Sequence, residues 1–143
     1  MARIKIELPE HFSFVTDIPV RITDLNYGGH VGNDSILSLL HEARAQFLKS
    51  RGYDEMNFAG TSLIMSDVAI EFKNELYYGD KIKASLVIGE LTRIGFDLYY
   101  KLEKNKNGTD VIVAIAKTGM NFYNYQLKKI IRLPEEVKKN LSL

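Results

Sequence analysis

The 143-residue sequence predicts an α+β fold in which an antiparallel five-stranded sheet wraps around one long central helix. Three observations carry that expectation. The apolar residues Ile36, Leu37, Leu39, Leu40, Ala43, Phe47 and Leu48 recur at helical spacing, so one face of a helix must be buried. After Gly60 the apolar period changes to two and stays there. Tyr78-Gly79-Asp80 and Asn107-Gly108 break the alternating stretches where turns belong.

Taken in order, Phe14 to Thr23 alternates as a strand, with Ile18, Val20 and Ile22 on one side, and Pro19 marks it as an edge or interrupted strand. A polar, glycine-rich turn from Asp24 follows. Asn33, Asp34 and Ser35 stand where a helix N-cap belongs, and the helix should end at Arg51-Gly52, where glycine can take the left-handed cap conformation. A strand is expected from about Leu63 to Lys73, with Ile64, Ser66, Val68, Ile70 and Phe72 on one face. Ile82, Ala84, Leu86 and Ile88 mark the next strand, and Ile94, Phe96, Leu98, Tyr100 and Leu102 the one after, joined by a short connection from Glu90 to Arg93. The last long strand runs from Thr109 to about Tyr123, and the four strands after the helix can pair as a meander. Leu133-Pro134 opens a short terminal helix.

Composition narrows the function classes. With 45% hydrophobic residues the chain makes one domain, residues 1–143. Nineteen Lys+Arg against eighteen Asp+Glu leave a net charge of +1 without a basic run, so nucleic acid is not an expected partner. The absence of cysteine excludes a disulfide framework, a thiolate zinc site and a cysteine nucleophile. His11 and His41 show no metal-ligand spacing with His30, and no metal or cofactor is expected. There is no uninterrupted apolar run of about 18 residues and no signal-peptide pattern, so a cytoplasmic protein without a membrane span is expected. One helix cannot cover both faces of such a sheet, which makes a homodimer or homotetramer the natural assembly.

The stretch DLNYGGHVGNDSILSLLHEAR, Asp24 to Arg44, concentrates polar and small residues at a helix start. Glycine lets the backbone approach a ligand closely, and free N–H groups at a helix N-terminus face whatever binds there. His30 is a candidate general base, since histidine ordinarily titrates near ~6.5, or a residue that simply fixes the turn. Asp24 can orient His30 or a water, or cap the turn, and Asn26 can hold a carbonyl or serve as a turn residue. Asp67 sits among apolar strand residues, where a charge needs either a site or a solvent edge. No Gly-x-Ser-x-Gly nucleophile elbow and no phosphate loop occurs.

This stretch resembles the hotdog-fold acyl-CoA thioesterases of the 4-hydroxybenzoyl-CoA thioesterase type. Those proteins carry a pattern close to Asp-x-Asp-x-x-Gly-His-Val-Asn-Asn, then a helix with Glu-Ala-Arg near its middle. Asp24, Gly29, His30, Val31, Asn33, Glu42, Ala43 and Arg44 match it, and Tyr78-Gly79-Asp80 resembles the family's Gly-Asp turn before a strand. The resemblance implies a hotdog fold and hydrolysis of a thioester of coenzyme A or acyl carrier protein. It implies catalytic roles at Asp24, Asn26, His30 and Asn33, with the Asn33 N–H in an oxyanion hole. Tyr27, Gly29, Glu42, Asp67 and Arg93 are expected to line the substrate, with Arg93, Lys81, Lys83 and Lys101 as candidates for its phosphates. Where the family has its second aspartate this chain has Asn26, and an amide is neither nucleophile nor base near neutral pH. Either another group takes the proton or the chain holds acyl thioesters without turnover. A hotdog dehydratase is a third reading, disfavoured because no proline stands near His30.

Overall fold

The computed structural model describes residues 3–141. The chain runs β1 (Phe14–Pro19), a 3₁₀ turn (Ile22–Asp24), α1 (Asn33–Ser50), β2 (Ser62–Phe72), β3 (Lys81–Leu91), β4 (Gly95–Lys106), β5 (Thr109–Asn124), β6 (Lys129–Ile130) and α2 (Glu135–Leu141). The long strands form one antiparallel sheet in the order β1-β3-β4-β5-β2, with the two-residue β6 added to β5.

The expected meander holds for β3, β4 and β5 only. β2 pairs with β5 at the far edge, from Ser62 opposite Tyr123 to Phe72 opposite Ala114, and does not neighbour β3. Alternation along a strand states which side is apolar but not which strand lies beside it, so local pattern could not place β2. The first strand is also shorter than its pattern suggested. The chain leaves the sheet after Pro19, and the 3₁₀ turn leaves Ile22 exposed while Ile18 and Val20 stay buried.

α1 lies across one sheet face and buries Ile36, Leu39, Leu40, Ala43, Phe47 and Leu48. Opposite are Ile82, Ala84 and Leu86 of β3, Phe96, Leu98, Tyr100 and Leu102 of β4, and Ala114, Ala116, Met120 and Phe122 of β5, all buried. Near the C-terminal end of the helix Tyr53 stacks on Phe58 at 4.1 Å, and Phe58 meets Phe122 edge-on at 5.2 Å. The helix stops where glycine permits: Gly52 takes φ +82 and its N–H reaches the Lys49 carbonyl at 3.0 Å. Asn107 and Gly108 both have positive φ, as the tight β4–β5 hairpin requires.

The opposite sheet face is crossed by the segment before β1. The Ile6 N–H donates to Glu71 on β2 at 2.7 Å, Phe12 lies under the Lys101 ammonium on β4, and the Ser13 N–H reaches the Leu86 carbonyl on β3. β2 remains an open edge with Met65, Val68 and Phe72 exposed.

Candidate active site

The turn ahead of α1 is built by its own polar groups. Asp24 is buried, only 4% exposed, and its carboxylate accepts the Arg21 N–H at 2.8 Å and the Arg21 guanidinium at 3.3 Å, so it caps the 3₁₀ turn. The Asn26 Oδ1 accepts the Gly28 N–H at 2.8 Å, and the Asn26 N–H donates to the His30 carbonyl at 2.8 Å. That hairpin requires φ +82 at Gly29, a conformation open to glycine. Oδ1 already accepts one hydrogen bond, and Nδ2 is the donor of the Asn26 amide.

His30 joins this turn to the connector between β2 and β3 by bridging to Tyr77. Its Nδ1 lies 3.2 Å from the Val31 carbonyl, which can only accept, so Nδ1 is the donor there and in the neutral ring Nε2 holds the lone pair. Nε2 lies beside Gly28, 3.5 Å from the position a Cβ there would take. Tyr77 is fixed in turn, its N–H on the Asp80 carboxylate at 2.9 Å and its hydroxyl on Glu75 at 2.5 Å. The Glu75 carboxylate raises the Tyr77 pKa, holding the phenol protonated.

The N-cap of α1 is Gly32 rather than Asn33, Asp34 or Ser35, and Asn33 is the first helical residue. Glycine has no side chain to offer, so the first-turn N–H groups lack a side-chain cap. The Asn26 Nδ2 lies 3.8 Å from where a Gly32 Cβ would stand, which sets the amide beside the helix N-terminus. His30, Val31, Asn33 and Ile36 share a cavity of about 240 Å³ with Phe72, Lys73, Asn74, Glu75, Leu76 and Val113. The turn thus gathers hydrogen-bond donors (Asn26 Nδ2 and the helix N–H groups) and acceptors, among them the His30 ring and, beside Gly32, the Asp34 carboxylate.

The other expected residues lie elsewhere. Tyr27 is fully exposed at the tip of the turn. Glu42 stands on the exposed side of α1, roughly 14 Å along the helix from Asn33 at 1.5 Å per residue, and lines a separate 470 Å³ groove with Ile18, Pro19 and Arg21. Asp67 is exposed at a bulge in β2, its carboxylate directly over Gly119. Arg93 follows β3 at the end opposite the turn, roughly 33 Å away by the length of that strand, beside Arg132 and Glu135. Within one chain it does not join the site.

Sequence reasoning missed one assembly. Arg44 is 6% exposed, and its Nε donates to Glu55 at 2.6 Å while Nη1 donates to the Tyr100 hydroxyl at 3.0 Å. Tyr100 meets Thr118 Oγ1 at 2.7 Å. Burial pulls the Arg44 pKa down, but Tyr100 and Glu55 outweigh it and hold the guanidinium above its ordinary value. Burial drives the Tyr100 phenol up. The available signal was an arginine on the apolar stripe of a helix, where a charge needs partners.

Comparison with known proteins agrees with this fold. The Thioesterase-like superfamily model matches residues 20–141. A 1,4-dihydroxy-2-naphthoyl-CoA hydrolase of Rippkaea orientalis is 30% identical over 121 residues, 82% of this chain and 87% of that protein. A hypothetical protein from Aquifex aeolicus superposes with a TM-score of 0.79 at 26% identity, covering 91% of this chain and 100% of the other. A 1,4-dihydroxy-2-naphthoyl-CoA thioesterase from Synechocystis has the same fold, with a TM-score of 0.78 at 21% identity over 90% of this chain and 94% of its own. With the family pattern seated on an uncapped helix N-terminus inside this fold, the chain belongs to the thioesterase-like superfamily and is a hotdog-fold thioester hydrolase.

Proposed function

We propose that this protein is a cytoplasmic homodimer or homotetramer that hydrolyses an acyl-CoA thioester to the free acid and coenzyme A at the start of α1. The observation that carries the reading is the juxtaposition of the uncapped helix N-terminus, the Asn26 amide and the His30 Nε2 lone pair. His30 Nε2 takes a proton from water as the water oxygen bonds to the thioester carbonyl carbon. The resulting oxyanion accepts hydrogen bonds from the Asn33 N–H and Asn26 Nδ2, donors already in place before charge develops. Collapse breaks the carbon–sulfur bond, and the thiolate leaves with the proton that His30 had taken. Asn26 is a donor in this scheme, so the missing carboxylate does not interrupt it. Asp24 holds the turn through Arg21.

The open β2 edge supports the oligomer. β2 is an eleven-residue edge strand with exposed Met65, Val68 and Phe72, a combination that invites pairing with another strand. Pairing there would bring a partner's groups toward Asp67, and Arg93 could serve a phosphate only across an interface between subunits. The test is turnover of a panel of acyl-CoA thioesters, including 1,4-dihydroxy-2-naphthoyl-CoA, followed by release of free thiol. Binding without thiol release would replace hydrolysis by storage of the thioester.

A further inference from the structure

We propose that Arg44 is a specificity-determining residue, which reads an uncharged oxygen acceptor near the distal end of the acyl group. The inference rests on the site proposed above and extends it along the helix. Asn33, Leu37, Leu40 and Arg44 recur at spacings of four, three and four, so they form one stripe of α1 that begins at the donor N–H groups. Along this stripe lies a crevice of about 240 Å³ between α1, β2 and β5, lined by Leu37, Ser38, Leu40, His41, Arg44, Met65 and Thr118. Its walls are apolar at Leu37, Leu40 and Met65, and its cation is Arg44.

The guanidinium is fixed before anything binds. Glu55 holds Nε and Tyr100 holds Nη1, and two bonds to a planar group set the direction of its remaining N–H groups. Nη2 donates to neither partner. Among the described residues no sealed side-chain nitrogen or oxygen lacks a hydrogen-bond partner, so Nη2 is not sealed, and Arg44 lines the crevice. Glu55 already balances the charge, which makes a neutral carbonyl or hydroxyl oxygen a better match than a second carboxylate. Arg44 lies about 16 Å along the helix from Asn33, and helical side chains lean back by roughly one turn, which leaves roughly 11 Å from thioester carbon to acceptor. A medium-length acyl group with a terminal oxygen spans that gap.

Isothermal titration calorimetry with two non-hydrolysable thioether analogues tests this without depending on turnover. Both carry a 2-oxononyl chain on coenzyme A, one ending in a hydroxyl and one in a methyl group. The wild-type protein should bind the hydroxyl form at least about tenfold more tightly. Arg44→Lys keeps the charge but loses the fork and should bring the ratio to within about threefold of one. Tyr100→Phe frees Nη1 and should also lower the ratio, which serves if Arg44→Lys does not fold. A wild-type ratio near one, or a tenfold ratio that survives in a folded Arg44→Lys protein, overturns the assignment. A hydroxyl preference that depends on Arg44 in a protein that hydrolyses no thioester would keep it and overturn the hydrolytic reading alone.

Discussion

Gly32→Ala separates the approach to the helix N-terminus from the stability of the fold. Gly32 has φ −71 and ψ 156, which alanine adopts freely, so the backbone carries no penalty. The added Cβ would stand 2.6 Å from Asp34 Oδ1 and 3.6 and 3.8 Å from Cβ and Nδ2 of Asn26. The first contact is with the free end of a side chain, which can rotate away for about 0.5–1.5 kcal/mol. For a chain of this size that is a fall in Tm of a few degrees. The methyl group then occupies the space in front of the donors. If the Asn26 amide and the Asn33 N–H hold the oxyanion, kcat/KM should drop by the roughly 10²–10³-fold typical of losing such a donor. Thiol release with a chromogenic disulfide gives the rate, and circular dichroism with thermal melting shows the fold. A folded Gly32→Ala protein with wild-type kcat/KM would refute the placement of the oxyanion here. Gly29 is a poorer probe: nothing lies within 4 Å of its would-be Cβ, but φ +82 makes any bulky residue there strained, so Gly29→Val would confuse folding with approach.

Further outcomes follow from the same geometry. His30→Ala should lose roughly 10²-fold or more in kcat, with the acid limb of the pH profile absent in the variant, and Asn26→Asp should raise turnover or shift its pH dependence. Light scattering should give at least a dimer, and Val68→Asp on the open β2 edge should shift it toward monomer. The Ile6 N–H, with help from Lys73, lowers the Glu71 pKa, so the tie between the N-terminal segment and β2 is fully formed above the ordinary glutamate value. It is lost as pH falls through the lowered one. The Ile6 amide resonance should report that change, and Glu71→Gln should remove its pH dependence; an unchanged titration in the variant would assign it to another group.

The parts of this molecule that local chemistry dictates were legible in the sequence. The helix showed itself by its apolar stripe and by Gly52, and the β4–β5 hairpin by Asn107-Gly108, because each depends on residues close in the chain. The pairing of β2 with β5 was not, since a strand's alternation is the same beside either neighbour. Ile22 looked like a strand residue because the alternation continues through it, while Asp24 capping its own turn ends the strand three residues earlier. The cluster at the turn was visible as composition, but the division of labour within it was not. Asn26 as donor and His30 with a free Nε2 depend on which lone pairs the backbone already occupies. The Arg44, Glu55, Tyr100 and Thr118 chain joins four elements of the sequence that have no local relation, and Tyr100 reads simply as one more member of an apolar strand face.

The most direct test of the central claim is the rate of thiol release from acyl-CoA thioesters by the wild-type protein and by His30→Ala at matched concentration. Catalysed release by the wild type that falls roughly 10²-fold or more in a folded His30→Ala protein is the predicted result. Equal rates in the two proteins, or acyl-CoA binding with no release by either, would contradict it.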